Sequence, residues 1–293
     1  MISTSGPRKI LLNLGCGTRF HGEWLNFDLC PASPEVISCD FTKGLPVESS
    51  TASAVYHAAV LEHIRSEDVP QFMAECFRVL KSGGVLRVGI PDLEQICRLY
   101  LQSLDGGVKG TSGAAESYDW ILLELLDQMV RERSGGQMKT LLQSGDIPHE
   151  DFVFSRIGEE GRQLVAECIT QQERDKVSAS KVTYSARRQL SRVKQWLGSL
   201  PSAVREKLQQ MVLNERDQRA LGIGQFRLSG ELHQWMYDRF SLSRLMLDSG
   251  FISPVAKNTA ESSILGWESY HLDEDSAGKP CKPDLIFVEA IKP

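Results

Sequence analysis

The sequence predicts an α/β fold in which a parallel sheet is interrupted by a long helical segment. Short apolar runs alternate with turns and one helix from residue 8 to about residue 92, which is the pattern of parallel strands joined by crossovers. From residue 93 to about 229, apolar residues instead recur at helical spacing without a repeating period. Strand and helix patterns return afterwards. We therefore expect a core of residues 1–92 and 230–293, with residues 93–229 inserted as a helical cap.

The expected strands are short apolar segments bounded by turn residues, and two helices accompany them. The first helix is expected to have Ser66 as its cap and to end at Gly83 and Gly84, because glycine favours a helix stop. The second is expected from Ser241 to Asp248, ahead of Gly250. The strands are expected at residues 10–14, 24–28, 35–40, 54–59, 85–90, 251–256 and 284–291.

Charge and cysteine usage narrow the class of protein. The formal net charge of -5 gives no overall sign of nucleic-acid binding. Seven cysteines without a CxxC pair indicate reduced thiols rather than a disulfide or zinc framework. The first residues lack the apolar core of a signal peptide, and no run is long and apolar enough for a membrane span. We therefore expect a cytoplasmic protein with no membrane partner.

One basic stretch interrupts the otherwise acidic chain. Residues 171–219 contain 11 Lys or Arg and 5 Asp or Glu. This stretch could attract an anionic substrate, or it could be the solvated face of amphipathic helices. The stretch has no recognisable RNA-binding signature, so no nucleic-acid partner is expected.

A glycine turn after the first expected strand indicates a nucleotide-type ligand and excludes two common ones. The residues LLNLGCGT at 11–18 end an apolar run at Gly15 and Gly17. A dinucleotide fingerprint would need a third glycine and an acid about 20 residues further on. Here no third glycine follows, and Asp28 is only 13 residues after Gly15. A P-loop is excluded because no GK[ST] follows the turn.

Five segments together resemble one enzyme family. They are LLNLGCGT at 11–18, WLNFD at 24–28, CDFTKGLP at 39–46, VLEHI at 60–64 and RVLKSGGVLRVGIPD at 78–92. In this order they resemble the class I S-adenosylmethionine-dependent methyltransferases, in particular the type 11-like branch. The resemblance implies a Rossmann-like, doubly wound seven-stranded sheet and S-adenosyl-L-methionine as the cofactor. It does not extend over the helical insertion.

The resemblance also implies cofactor contacts at the carboxyl ends of the strands. Glycine in the turn lets backbone approach the amino-acid portion of the cofactor. The Asp28 carboxylate can accept both ribose hydroxyls, and Asp40 occupies the position that contacts the adenine amino group. The residues expected to contact the cofactor are Asn13, Leu14, Gly15, Cys16, Gly17, Asp28, Leu29, Asp40, Phe41, His57, Ala58 and Leu61.

Four residues are candidates for contact with the acceptor or for proton transfer. His63 follows the fourth strand, in a segment Leu61–Glu62–His63 that leads toward the transferable methyl group; it could instead only hold the loop. His233 and Tyr237 lie in a dense polar and aromatic segment, which could be a packed hinge. Asp92 follows the fifth strand and could equally cap the next helix.

Two other side chains are expected to be inert. Cys16 lies between the glycines, but no base is specified to activate it as a nucleophile. His149 precedes two acids, yet adjacent residues rarely converge on one ion, so no metal site is predicted.

The predicted function is methyl transfer to an oxygen, nitrogen or carbon nucleophile of a small-molecule or saccharide acceptor. Protein or nucleic-acid acceptors are the second choice. Two alternatives stay open: transfer or cyclisation of the aminocarboxypropyl arm of the same cofactor, and a catalytically silent protein that only binds it. The oligomeric state also stays open, with a homodimer as one option.

Overall fold

The computed structural model describes residues 9–179 and 213–293. Its centre is a seven-stranded sheet with the order β3-β2-β1-β4-β5-β7-β6. Strands β1 to β5 run parallel, whereas β7 is antiparallel to both β5 and β6. The strands are β1 (Ile10–Leu14), β2 (Leu25–Asp28), β3 (Ile37–Ser38), β4 (Ala52–Ala58), β5 (Leu80–Pro91), β6 (Ile252–Lys257) and β7 (Leu285–Ile291).

This sheet confirms the predicted Rossmann-like methyltransferase fold. The strand order reverses between β1 and β4, which is where open α/β sheets place their ligands. The helices are α1 (Val69–Val79), α2 (Leu93–Val108), α3 (Ala114–Leu122), α4 (Gln128–Val130), α5 (Gly136–Leu142), α6 (Glu150–Ala179), α7 (Glu215–Arg227) and α8 (Arg239–Asp248). A π-helical turn lies at Leu123–Asp127, and short 3-10 turns lie at Phe41–Lys43, Leu61–His63 and Trp267–Ser269.

The two faces of the sheet are covered by different kinds of structure. Helices α1 and α8 pack their apolar sides on one face, with Phe72 and Met246 among the fully buried side chains. The other face is covered by the irregular segment after β6, through Ile264, Trp267 and Tyr270. Aromatic rings meet edge to face there, which suits their quadrupoles.

A buried ion network fixes that irregular segment to the sheet. Arg87 of β5 has no exposed surface and lies 2.8 Å from carboxylate oxygens of both Asp273 and Glu289. Tyr56 of β4 donates a hydrogen bond to Asp273 at 2.6 Å. Because removing one partner would leave an uncompensated buried charge, this network holds residues near Asp273 against the sheet.

The largest error in the predicted element boundaries is at the end of α1. Asp68, not Ser66, is the N-cap, and the helix ends at Val79 instead of at Gly83 and Gly84. Leu80 already belongs to β5 and pairs with Ala52 of β4. The glycines therefore lie inside a strand, where backbone pairing overrides their helix-stop tendency. Strand β3 is also shorter than expected, at Ile37–Ser38.

All regular structure in the described part of residues 93–229 is helical. A buried ion pair between Arg156 and Glu124, at 2.9 Å, joins helix α6 to the π-helical turn. At Gly158 the backbone takes a φ of +63° and packs against the carbonyl of Cys281, where a Cβ would lie only 2.7 Å away. The insertion is thus tied to the C-terminal part of the core.

Most of the basic stretch predicted at residues 171–219 lies outside the described residues. Within the described ranges, no helix is both long enough and apolar enough to cross a membrane.

Candidate functional site

The glycine turn between β1 and β2 has two glycines with different tasks. Gly15 has a φ of +66°, and a Cβ there would lie 2.3 Å from a methyl carbon of Val60. Gly17 has a φ of +52°, but no atom within 4 Å would meet its Cβ. Both positions need the left-handed conformation that glycine adopts without strain. Gly15 is therefore required for packing as well, whereas Gly17 faces open space.

Hydrogen bonds inside the chain hold this turn in shape. The amides of Gly15 and Cys16 both donate to the carbonyl of Phe27, at 2.7 and 3.1 Å. The buried Asn13 amide donates to Asn26 at 3.1 Å and to the backbone carbonyl of Arg19 at 3.0 Å. The turn and the loop after it are thus a preformed part of the sheet edge.

Asp28 ends β2 and already accepts two backbone hydrogen bonds. The amides of Gly17 and Cys30 each donate to a different carboxylate oxygen, at 2.8 Å. An ionised carboxylate offers about four lone-pair positions, so each oxygen keeps a further position for a ligand hydroxyl. The side chain is partly exposed. This geometry suits the predicted ribose contact.

A cavity of about 240 Å³ opens beside the glycine turn. It contains five of the predicted cofactor residues: Asn13, Gly15, Cys16, Gly17 and Ala58. The opposite wall comes from the C-terminal segment, which the sequence did not indicate. The remaining lining residues are Thr18, Arg19, Tyr56, Ala59, Leu272, Asp273, Cys281, Lys282, Leu285 and Phe287.

The other predicted cofactor residues lie in two different places. Asp28, Leu29, Asp40 and Phe41 follow β2 and β3 at the same edge of the sheet, outside the walls of this cavity. Asp40 pairs with Lys43 at 3.0 Å. The buried side chains of Leu14, His57 and Leu61 have no exposed surface.

Cys16 has the environment of an inert thiol. Its side chain is buried, and burial together with the neighbouring Asp28 charge raises the pKa of the thiol to about 11. Because the thiolate is the nucleophilic form, this environment opposes covalent catalysis by Cys16.

Three polar side chains converge directly after β4. Glu62, His63 and His233, hereafter the Glu–His cluster, each place one ligand-type oxygen or nitrogen within 4.8 Å of the others. The two imidazole rings meet edge to face with their centroids 4.7 Å apart. Glu62 and His233 are 1% and 6% exposed. The sequence separates the two histidines by 170 positions, yet the fold brings them into contact.

The cluster has unpaired polar atoms. Neither carboxylate oxygen of Glu62 has a hydrogen-bond partner within residues 9–179 and 213–293, and neither does Nδ1 of His233. His63 Nδ1 lies 3.3 Å from the carbonyl oxygen of Leu232. Buried polar groups in native proteins are almost always hydrogen-bonded. The exceptions here make the cluster a candidate ligand site.

Burial also shifts the pKa values in the cluster. It raises the pKa of Glu62 to about 7, and it lowers the pKa of His63 to about 4 and of His233 to about 3. The positive charge of Lys282 adds to the lowering of both histidine pKa values and partly opposes the rise in the pKa of Glu62. Tyr237 is also buried, and its pKa is raised to about 12, first by burial and then by the Glu62 charge. Low local polarity therefore favours uncharged forms of all four groups.

Backbone hydrogen bonds place the cluster at the junction of the core and the helical insertion. The carbonyl oxygen of Glu62 accepts from the amides of Gln234 and Trp235, at 2.6 and 3.3 Å. The amide of His233 donates to the carbonyl of Gln128, which belongs to α4 in the insertion. Arg131 adds an ion pair to Glu231 at 3.2 Å.

Lys282 connects the cluster with the cavity. It lines the cavity, and it is close enough to Glu62 and both histidines to influence their charge states. Ala59 also lines the cavity and lies three residues before Glu62. The cluster is therefore next to the cavity and away from the exposed surface.

Asp92 and His149 have local structural contacts. Asp92 caps helix α2 by accepting from the amide of Gln95 at 3.1 Å, which is the alternative the sequence allowed. His149 contacts the hydroxyl of Ser117 at 2.6 Å and stacks on Phe152. Glu62 and Lys282 are the residues that sequence reasoning passed over. The pair Glu62–His63 was visible in the sequence, whereas nothing in the pattern around Lys282 marked it.

The N-terminal part of the sheet matches a known protein family. Residues 12–88 match the family model described as a methyltransferase domain. A search of the curated proteins found no match. The matched residues contain the glycine turn, Asp28, β4 and the two cluster residues that follow β4.

Solved structures of methyltransferases are similar to this chain at low identity and low TM-score. The methyltransferase in complex with the Trm112 activator of Haloferax volcanii is 9% identical, with 98% of this chain and 82% of that chain covered and a TM-score of 0.36. A methyltransferase of Thermotoga maritima is 10% identical, with coverages of 97% and 82% and a TM-score of 0.35. One from Archaeoglobus fulgidus is 18% identical over 32% of this chain and 51% of that chain, with a TM-score of 0.27.

The family match and the sheet order agree on one class. The matched residues form part of the seven-stranded sheet, whose order is β3-β2-β1-β4-β5-β7-β6 and in which β7 is antiparallel. Residues 12–88 are therefore similar to a methyltransferase domain, and they lie within a sheet of the predicted Rossmann-like order.

Proposed function

We propose that this enzyme transfers a methyl group to a nucleophile of a small-molecule or saccharide acceptor, which reacts at the Glu–His cluster. The observation that carries the proposal is the buried carboxylate of Glu62, which has no hydrogen-bond partner among the described residues and lies beside His63 and His233. These groups lie directly after β4, next to the cavity at the glycine turn. An acceptor with hydroxyl or amino groups would satisfy them.

The residues at the sheet edge fit the cofactor. Gly17 offers open space in a conformation that lets a ligand approach the backbone, and Asp28 keeps lone-pair positions for two hydroxyls. When bound, S-adenosylmethionine supplies an electrophilic methyl group on a sulfonium and leaves as S-adenosylhomocysteine. Asp40 and Phe41 stay proposed adenine contacts. Because the side chains of Leu14, His57 and Leu61 are buried, these residues would contact the cofactor through their backbone atoms or only shape its pocket.

The protein's contribution is to align the acceptor and exclude water. Direct displacement at the methyl group would need no covalent enzyme intermediate, so the chain's residues would only hold the acceptor atom in line with the methyl group and keep water away. Alignment of this kind accounts for much of the rate in two-substrate reactions. When the methyl acceptor is a hydroxyl group, it also loses its proton. The oxygen atoms of Glu62 and the ring nitrogens of His63 and His233 would take up that proton. Tyr237, which is buried and close enough to feel the charge of Glu62, would help to orient the acceptor.

The acceptor is proposed to be small because the cluster is enclosed. Glu62 and His233 are nearly inaccessible, and the insertion and the segment from Leu232 to Trp235 close over them. A compact polar molecule can enter such a space more readily than a folded macromolecule. A cytoplasmic location is supported by the six cysteines whose side chains the structure describes, which are free thiols.

The test is product analysis with methyl-labelled cofactor. Ligands released from the purified protein would be identified by mass spectrometry, and a panel of hydroxylated, amino and saccharide acceptors would then be assayed. Label in the acceptor together with S-adenosylhomocysteine supports the proposal. Methylthioadenosine would instead indicate transfer of the aminocarboxypropyl arm, and tight cofactor binding without turnover would indicate a silent binder.

A further inference from the structure

We propose that Glu62, His63 and His233 bind one divalent transition-metal cation. The cation would hold the nucleophile of the acceptor, and this part of the proposal rests on the proposed function. The binding of the cation does not rest on the proposed function, because it is argued from the three side chains alone.

The geometry of the cluster is close to that of a three-ligand metal site. One oxygen or nitrogen of each side chain lies within 4.8 Å of the corresponding atoms of the other two. Ligands at about 2.0–2.2 Å from a metal lie roughly 3–4 Å from one another. Small side-chain rotations, without movement of the backbone, would bring the three atoms into that range.

The hydrogen bonding of the cluster is what a metal site needs. Both oxygens of Glu62 and Nδ1 of His233 have no partner among the described residues, so they are available as ligands. His63 can donate from Nδ1 to the carbonyl of Leu232, which leaves its Nε2 for the metal. Such a backbone contact from the second ring nitrogen is the usual way in which a metal-binding histidine is oriented.

A bound cation would also offset the unfavourable burial of the Glu62 carboxylate. An uncompensated carboxylate that is 99% buried is expensive, because ionisation in a nonpolar environment has no solvation to support it. The nearby positive groups already have acidic neighbours. Arg131 pairs with Glu231 at 3.2 Å, and Lys282 interacts with the charge of Asp284.

The donor set favours some cations over others. Two imidazole nitrogens and one carboxylate oxygen suit Zn²⁺, Fe²⁺, Co²⁺ or Ni²⁺, whereas Mg²⁺ and Ca²⁺ prefer oxygen ligands throughout. Three protein ligands leave open positions, as in catalytic metal centres. An acceptor hydroxyl bound there would lose its proton more readily, and the three side chains would act through the cation instead of as bases.

The chain has seven cysteines, whose thiolates could bind an added metal ion elsewhere. Co²⁺ is the appropriate probe because, unlike Zn²⁺, its visible spectrum shows which kind of ligand holds it. Protein freed of metal with a chelator would be titrated by calorimetry, while the visible spectrum distinguishes nitrogen and oxygen ligands from sulfur. We expect one Co²⁺ per chain with a spectrum free of thiolate bands. Glu62→Gln and His233→Ala should each weaken binding by roughly 100-fold, the upper end of the loss seen for residues that only support ligands.

The matched control is His271→Asn, an exposed histidine whose φ of +49° asparagine tolerates. It should bind Co²⁺ like the unaltered protein, and circular dichroism would show whether each variant is folded. If Glu62→Gln does not fold, the His233→Ala titration decides. No binding by the folded unaltered protein, or equal binding by the folded variants, overturns the proposal.

The same samples separate this proposal from the proposed function. Co²⁺ bound at the cluster without methyl transfer to any acceptor supports the metal site and counts against the function. Equal methyl transfer before and after chelation, with no Co²⁺ binding, supports the function and overturns the metal site.

Discussion

The glycine turn and the Glu–His cluster lie at the same edge of the sheet but satisfy their polar groups in opposite ways. In the turn, Asp28 and Asn13 have hydrogen-bond partners inside the chain. In the cluster, the Glu62 carboxylate and a nitrogen of His233 have none among the described residues. The first region is rigid before any ligand arrives, whereas the second is incomplete without one. We therefore propose that the first region binds the cofactor and that the second contacts the acceptor.

The largest effect is expected from Glu62→Gln, which keeps the shape of the side chain but removes its charge. Methyl transfer should fall roughly 10²- to 10⁴-fold, as for the loss of a group that assists proton removal. The free energy of unfolding should rise, because a buried charge without a partner is costly. Affinity for S-adenosylhomocysteine should not change. Turnover and urea denaturation measure the two effects. A variant that stays fully active or is destabilised would contradict the role proposed for the Glu–His cluster.

The turn can be disturbed by substituting either glycine. Gly15→Ala should lower the free energy of unfolding by about 2–4 kcal/mol, because it combines a φ of +66° with a methyl group 2.3 Å from Val60. Gly17→Ala should cost only about 1–2 kcal/mol, the strain of the left-handed conformation alone. Denaturation midpoints measure both. A second substitution, Val60→Ala, should restore part of the loss in the Gly15 variant but none in the Gly17 variant.

Asp28→Ala tests the cofactor side of the comparison. It should weaken binding of S-adenosylhomocysteine by about 1.5–3 kcal/mol, the value of hydrogen bonds to a charged group. Calorimetric titration measures this loss. Unchanged affinity in a folded variant would remove the ribose assignment, and a variant that no longer folds would show that its bonds to Gly17 and Cys30 are its main role.

The smallest effect concerns His57, which is fully buried and has no partner for either ring nitrogen within the described residues. Burial lowers its pKa to about 3, so below pH 6.5 the unfolded chain takes up a proton that the folded chain does not. Stability is therefore lost as the pH falls. Between pH 7 and pH 5 this loss amounts to about 2 kcal/mol.

His57→Leu should remove that loss. The difference in unfolding free energy between pH 7 and pH 5 should be about 2 kcal/mol smaller than in the unaltered protein. His271→Asn, at an exposed position, is the matched control and should behave like the unaltered protein. Identical pH dependence in His57→Leu would show that the folded protein protonates His57 readily.

The sequence predicted the sheet and the turn because both depend on local patterns. Apolar runs such as Ile10–Leu14 mark buried strands, and the glycines mark a turn that other residues cannot adopt. It could not predict that Gly15 makes room for Val60, a contact between residues 45 positions apart. Nor could it predict the pairing of Leu80 with β4, which ends α1 earlier than its glycines suggested.

The cluster was predictable only in parts. His63 and His233 were singled out separately, since each lies in a polar segment at the end of a predicted element. Their contact depends on the docking of the segment from Leu232 to Trp235 on the carbonyl of Glu62, a long-range backbone interaction without a sequence signature. Lys282 lies in an irregular loop, where no periodicity shows which side chains face inward.

The most direct test of the central assignment is a crystal structure with S-adenosylhomocysteine bound. The account predicts that the cofactor lies on the glycine turn, with its ribose on Asp28 and its sulfur facing Ala59 and the Glu–His cluster. A cofactor bound elsewhere, or one whose sulfur points away from Glu62, would contradict the assignment of acceptor chemistry to that cluster.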